Sequence, residues 1–283
     1  NMWIQPASGD AGGSLGAALN YWYNELNNER VVRTNSMKGS KLGPKFDGVE
    51  IEQSLNKLGA VFTKLDNEKL LDKTVDEIIL GKAIGWFKGR MEFGPRALGS
   101  RSIIADPRSN KIHKDLNIKI KFRETFRPFA SAVLRNKVSD YFEINVDSPY
   151  MLLVANIKEK VKISLNDEQK KLFGMDLLNV KRSTLPAITH VDYSSRIQTV
   201  TKEIDNDFYD LIEKFYARTG CAVLINTSFN IRGEPIVCSV EDAFRCFMGT
   251  NLDILVIENF FLYKKLQHKN LINKHYKDTY ELD

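Results

Sequence analysis

The sequence predicts an α/β fold around a largely buried, open twisted sheet with flanking helices, and three observations predict it. Strand-like and helix-like patterns alternate from one end of the chain to the other. Several strand-like runs, AIGWF, YMLLVAN and CAVLINTSFN among them, are continuously apolar rather than alternating, as strands covered on both faces are. Hydrophobic residues make up 43% and charged residues 27% of 283, enough apolar material for a sizeable core and too much for a disordered chain.

Taken in order, MWIQPA reads as a short strand and SGDAGG as a tight turn. Residues 14–28 form a helix with Ala17, Ala18, Tyr21, Trp22 and Leu26 near one face. Residues 33–47, RTNSMKGSKLGPKFD, are the best linker candidate because Gly, Ser and Lys dominate them. Helical patterns follow over 49–58 and 67–80, the second with Leu70, Leu71, Val75, Ile78 and Ile79 as a core-facing stripe. Next come the strand AIGWF, a cationic loop, the strand SIIA and a helix over 110–117. KFRETFRPFASAVL passes from a second basic turn into an apolar strand, and YMLLVAN reads as a buried strand. Residues 156–182 are a lysine-rich helical excursion. IQTVT is a strand, 206–218 an amphipathic helix, and CAVLINTSFN a buried strand that runs into a polar turn. The helix VEDAFRCFMG and the paired strands of DILVIENFFLYKK complete the body, and the polar tail after Gln267 is expected to fray.

The net charge is +5, mildly basic, which suits small anionic substrates as well as it suits nucleic acid. Three cysteines (Cys221, Cys238, Cys246) with no CxxC pair read as reduced core packing. No apolar run approaches the ~20 residues of a membrane span and no signal peptide is evident, so no membrane partner is expected and a soluble cytoplasmic protein is the default. Charge distribution is more informative than its sum. Lys88, Arg90, Arg96 and Arg101 crowd into KGRMEFGPRALGSRS; Lys121, Arg123 and Arg127 sit in the second basic turn; Asn226, Ser228, Asn230 and Arg232 follow the CAVLINTSFN strand. Each group lies beside a strand end, where ligands gather in α/β sheets. Guanidinium forks hold phosphate oxygens bidentately, and glycines let backbone N–H groups approach the same oxygens. Solvated surface cations, with Glu92 and Glu124 as neutralising partners, are the plainer reading of any one cluster. No GxxxxGK[ST] sequence occurs, so phosphate would be held by another geometry than the P-loop. The aromatics lie in apolar runs rather than as stacking platforms, which makes nucleic acid an unlikely partner.

GRMEFGPRALGSRSIIADPR, FRPFA, THVDYSSRIQTV, LINTSFNIRGEPIV and, ahead of them, QPASGDAGGSLGAAL resemble the C-terminal half of the carbamoyltransferases that act on antibiotics and nodulation factors. The resemblance runs from Gln5 to about Tyr263. It implies a YrdC-like domain over 36–266 carrying a KxR…SxN signature, matched by Lys88-Gly89-Arg90 and Ser228-Phe229-Asn230. It also implies a tail segment of an actin-like transfer domain over 1–35, and leaves 267–283 as a polar C-terminal tail. The implied chemistry joins ATP and carbamoyl phosphate to give carbamoyl adenylate and pyrophosphate, and then passes the carbamoyl group to a hydroxyl or amine. Arg90, Arg96 and Arg101 become the expected catalytic cations, with Lys88, Arg123, Arg127, Asn226, Ser228, Asn230 and Arg232 binding the two substrates. Mg²⁺ is expected with ATP. His190, Asp192 and Arg196 either contact carbamoyl phosphate or form a hydrogen-bonded turn.

The chain departs from the family in one respect. Asp10 matches an aspartate that in the family joins an HxxxH pair at Fe²⁺ or another divalent metal, yet no HxxxH occurs among His113, His190, His268 and His275. The missing actin-like part is then expected to come from a preceding domain or a separate subunit. Trp3, Trp22 and Tyr23 should expose apolar surface for that docking or for a homodimer. A non-catalytic nucleotide- or phosphate-binding module and a threonylcarbamoyl-adenylate synthase-like enzyme are the alternative readings.

Overall fold

A computed structural model of the protein describes residues 4–31 and 36–281. Among them, nine strands form one mixed sheet: β1 (Thr63–Lys64), β2 (Ile84–Phe87), β3 (Arg101–Ala105), β4 (Ala130–Leu134), β5 (Leu153–Asn156), β6 (Ser194–Val200), β7 (Val223–Ser228), β8 (Ile254–Ile257) and β9 (Phe260–Tyr263). Their order across the sheet is β1-β9-β8-β2-β3-β7-β4-β6-β5. The β2–β8 and β4–β6 pairs are parallel and the rest antiparallel. Every residue of β2, β3, β4 and β8 is buried, which is why β2 and β8 read as unbroken apolar runs.

The helices are α1 (Asp10–Asn20), α2 (Gly48–Lys57), α3 (Asn67–Ile79), α4 (Asn110–Asp115), α5 (Val138–Tyr141), α6 (Gly174–Asn179), α7 (Asn206–Thr219) and α8 (Val240–Gly249). Helices α2, α7 and α8 begin where side chains satisfy their free N–H groups. Asp47 and Glu50 form a capping box on α2, Ser239 and Asp242 another on α8, and Asp205 accepts from Phe208 N at 3.1 Å to start α7. Gly220, in the left-handed region at φ 71°, ends α7. Helices α3 and α7 pack together, as do α2 and α8.

The pairing register brings five chain ends to one edge of the sheet. Phe87, the last residue of β2, lies opposite Arg101, the first of β3. Ser102 lies opposite Ser228 at the end of β7, and Asn226 opposite Ala130 at the start of β4. Parallel pairing of β4 with β6 places the start of β6 there too. The cationic loop, the second basic turn, the turn after β7 and residues 190–196 therefore converge, although two of the four segments precede a strand rather than follow one.

Several expectations are corrected. Residues 4–7 are not a strand, and Met2 and Trp3 lie outside the described residues. SGDAGG turns only as far as Gly9, because α1 already begins at Asp10 and closes in a π-helical turn at Tyr21–Glu25. YMLLVAN supplies an edge strand, not a buried one. β5 is paired on one side alone, alternates in burial, and leaves Val154 60% exposed. The excursion over 156–182 is mostly irregular, with short 3₁₀ turns and α6. β1, two residues long, carried no periodic signal. In the linker candidate, residues 40–44 run alongside the cationic loop: Gly43 N donates to Met91 O at 2.9 Å, Met91 N to Pro44 O at 2.9 Å and Phe93 N to Ser40 O at 2.7 Å. Of the cysteines, Cys221 and Cys246 are buried as expected, but Cys238 is exposed.

Candidate functional site

The four cations of the first loop go to four different surroundings. Arg101 is fully buried, its guanidinium carbon 3.4 Å from the centroid of the Phe87 ring. Its Nη1 donates to Ser100 O at 3.0 Å and Gly89 O at 3.2 Å, and Nη2 to Pro44 O at 3.3 Å. Burial pushes this guanidinium down to about 10. Lys88 is also buried, donating to Asn67 Oδ1 at 2.9 Å and pairing with Asp207 at 3.2 Å, which ties the starts of α3 and α7 to the end of β2. Arg90 is exposed, with Nη1 on Gly43 O at 3.0 Å. Arg96 is half-buried and its Nε has no partner.

What shapes the loop is Glu92, which is buried rather than paired at the surface. Its Oε1 accepts from Leu98 N at 2.7 Å and Ser100 N at 2.6 Å. Gly99 between them holds φ +113°, and a Cβ there would stand 2.5 Å from Phe208 Cδ1, so this position requires glycine. The curled loop lies over the sheet through Asn226, whose Nδ2 donates to Ala97 O at 3.1 Å and Gln198 Oε1 at 2.7 Å, while Gln198 Nε2 reaches Leu98 O at 2.7 Å.

The second and third clusters share one cavity of about 440 Å³, lined by Lys121, Arg123, Arg127, Ser228, Asn230 and the 231–235 turn. Lys121 is its pivot. Phe122 beside it holds φ +48°, a strained conformation for a non-glycine residue. Lys121 Nζ donates to Ser228 O, to Ser228 Oγ at 3.2 Å, to Asn230 O at 2.9 Å and to Asn230 Oδ1 at 2.8 Å. Burial pushes Lys121 down to about 7. Arg123 donates to Asn117 Oδ1 at 2.7 Å and lies over Phe129; burial first, and Arg127 next, push it down to about 10. Glu124 bridges Arg127 (3.0 Å) and Arg232 (2.8 Å).

The 190–196 group divides. Asp192 Oδ1 accepts from Ser194 N at 2.9 Å, which is the hydrogen-bonded turn. Burial lowers His190. Arg196 is half-buried, its Nε has no partner, and its ionisation is lowered by burial and by the like charge of Arg96. No hydrogen bond or ion pair forms at the guanidinium of either arginine among the described residues, and Oδ1 of buried Asn226 is also unpartnered. The loop and β6 thus each carry a half-buried guanidinium without a counter-charge among the described residues. A bound polyanion would satisfy both at once.

Sequence reasoning named Lys121 but assigned it no role, and it missed Gln198 and the internal use of Glu92. The signal for Lys121 was present: Lys-x-Arg occurs at 88–90 and again at 121–123, and it is the second copy that meets Ser228 and Asn230. Asp10 is exposed in the first turn of α1, and no three His, Cys, Asp or Glu side chains among the described residues gather as a metal site. No described helix is long and apolar enough to cross a membrane.

Residues 75–264 match the family model described as carbamoyltransferase C-terminus. The chain is 53% identical over 286 residues to a protein of Synechocystis, with 100% of this chain and 46% of that one covered. It is 36% identical over 269 residues to nodulation protein NolO of Bradyrhizobium diazoefficiens, covering 94% and 45%. With 3'-hydroxymethylcephem-O-carbamoyltransferase of Amycolatopsis lactamdurans it shares 28% over 242 residues, covering 86% and 40%. The chain thus spans less than half the length of these relatives.

Proposed function

Because the chain belongs to the carbamoyltransferase family, matching its C-terminal part, we propose that it forms carbamoyl adenylate from ATP and carbamoyl phosphate for transfer to a hydroxyl or amine. The observation that carries this reading is a set of cations left for a ligand: Arg96 and Arg196, half-buried and without an anionic partner among the described residues, and a cavity walled by Lys121, Arg123 and Arg127. Water cleaves carbamoyl phosphate to carbamate and orthophosphate. A carbamate oxygen then attacks the α-phosphorus of ATP, the bond to the β-phosphate oxygen breaks, and pyrophosphate leaves. Both substrates are polyanions, so fixed cations must bring them together and take up the charge that grows on the leaving group.

Arg96 and Arg196 hold phosphate oxygens in this scheme, and Arg123, Arg127, Ser228, Asn230 and Arg232 hold the nucleotide phosphates. Asn226 fixes the loop and offers Oδ1 to a donor on the substrate. Lys88 and Arg101 act through the loop they fasten, and Arg90 contributes charge at its rim. The carboxylates of the cavity are already engaged, Glu124 with Arg127 and Arg232 and Glu234 with Ile231 N, so Mg²⁺ would enter on the phosphates of ATP. Asp10 fits a divalent metal such as Fe²⁺ only if a partner brings the remaining ligands.

The finer domain assignment belongs to the same proposal. Residues 36–266 are the YrdC-like adenylate-forming part, 267–283 its polar tail, and residues 1–35 the end of an actin-like transfer part. No described residue of α1 is buried, and Tyr21, Trp22 and Leu26 are 60%, 51% and 48% exposed, surface suited to an actin-like transfer part or to a second copy. Tyr23 is half-buried, and Trp3 lies outside the described residues.

Pyrophosphate release tests the proposal. Purified protein with ATP and Mg²⁺ should release pyrophosphate only when carbamoyl phosphate is added, and Arg96→Ala should abolish the release. ATP binding without carbamoyl-phosphate-dependent release would favour the non-catalytic module, and absence of both would refute the assignment.

A further inference from the structure

Residues 268–281 are packed against the body, not frayed. Tyr276 is fully buried, its ring lying so close over the end of α8 that a Cβ on Gly249 would stand 2.2 Å from Tyr276 Cγ. Its hydroxyl donates to Glu234 Oε1, and the Tyr280 hydroxyl reaches the same oxygen at 3.2 Å. Glu281 O packs against Gly233, where a Cβ would stand 2.4 Å away. The family match ends at residue 264, so this segment lies beyond it.

Glu234 belongs to the turn that floors the cationic cavity, and it shapes that turn from inside. Its Oε2 accepts from Ile231 N at 2.8 Å, and its main-chain oxygen accepts from Asn230 Nδ2. With Nδ2 engaged, the amide of Asn230 is oriented so that Oδ1 faces Lys121 Nζ at 2.8 Å and Ser228 Oγ at 2.7 Å. The tail is thus linked to the Lys121–Ser228–Asn230 group through Glu234, whose carboxylate takes the tyrosines and Ile231 N and whose main-chain oxygen takes Asn230. The carboxylate has no lysine or arginine partner among the described residues; tyrosine hydroxyls and a main-chain amide donate to it, and the buried Cys246 thiol lies against it.

We propose that the C-terminal segment is a latch in which Tyr276 is a positioning residue for the phosphate-binding turn, acting through Glu234. Removing it loosens the 230–234 turn and weakens phosphate binding while the sheet remains folded. The consequence for phosphate rests on the function proposed above; the ordering of the turn does not.

Tyr276→Phe keeps the ring on Gly249 and deletes the hydroxyl, so it separates latching from packing. Two measurements on the full chain decide the matter: amide hydrogen exchange at Ile231 without ligand, and binding of inorganic pyrophosphate by calorimetry. Tyr276→Phe should speed exchange at Ile231 and weaken pyrophosphate binding about tenfold, the loss of one charge-assisted hydrogen bond. Tyr280→Phe, at the longer distance, should have the smaller effect. Combined with Asn230→Ala, Tyr276→Phe should add little further loss, because both act on one group. Wild-type exchange at Ile231 in Tyr276→Phe overturns the latch. So does faster exchange with unchanged pyrophosphate affinity, since the turn would then be ordered without serving the site. If the wild-type protein binds no pyrophosphate, the proposed function falls, and exchange at Ile231 alone judges the latch.

Discussion

Replacing Glu92 by alanine should be among the most damaging single changes in this protein, and its cost can be worked from the loop it holds. Two short bonds from Leu98 N and Ser100 N end on one carboxylate oxygen that is shielded from water. A hydrogen bond to a charged acceptor is worth about 1.5–3 kcal/mol, and buried amides left without an acceptor add to the loss. Arg101, fully buried nearby, also loses the carboxylate that most favours its charge. Together these give about 3–5 kcal/mol, a fall in Tm of about 10 °C for a chain of this size. Glu92→Gln retains an accepting oxygen and should cost about 1–2 kcal/mol. The assay is denaturant unfolding followed by tryptophan fluorescence, with Trp86 a reporter because its Nε1 donates to Gly99 O at 2.9 Å. Since the loop carries Arg96, pyrophosphate affinity should fall with stability in the alanine variant and much less in the glutamine variant. Stability within 0.5 kcal/mol of wild type, an estimate of the usual size of surface effects, would refute the anchoring role.

Arg196→Ala and Arg96→Ala should each leave unfolding stability unchanged or slightly raised, because each removes a half-buried charge that has no counter-charge among the described residues, while weakening pyrophosphate binding about tenfold or more; calorimetry and thermal melting read the two effects separately. Lys121 and Lys264 are both pushed down to about 7 by burial, so the unfolded chain binds more protons than the folded one above that pH. Stability should therefore rise, by about 3 kcal/mol for the two groups together, between about pH 7 and 8.5, and the rise should roughly halve in Lys121→Met; a flat or falling urea midpoint over that window would contradict it. Above that range the buried thiols of Cys221 and Cys246, pushed up by burial, work in the opposite direction and flatten the rise. Gly99→Ala should destabilise by about 2–4 kcal/mol, as measured by thermal melting, since it meets Phe208 and adopts a positive φ.

Reading the residues in order was enough for the α/β class, for most strands and long helices, and for the grouping of cations beside strand ends. Periodicity and capping residues are local, so α2, α3, α7 and α8 were legible within about two residues. The edge position of β5 was not, because an apolar run looks the same whether one neighbour or two flank it. The tail's polar composition likewise hid Tyr276, whose burial depends on Gly249 being bare.

The identity of the binding cations follows the same division. Composition and turn chemistry determined that positive charge would be held in stiff loops, and the quoted motifs determined the family. Only the tertiary structure decided which charges are spent inside and which remain free. Arg101 and Lys88 are engaged by main-chain carbonyls and by Asn67 and Asp207, whereas Arg96 and Arg196, a hundred residues apart, both keep an unpartnered Nε. The reason is physical: a side chain's partner is set by the register of strands distant in sequence, and here β2, β3, β7, β4 and β6 bring their ends to one edge through pairings that no local window contains.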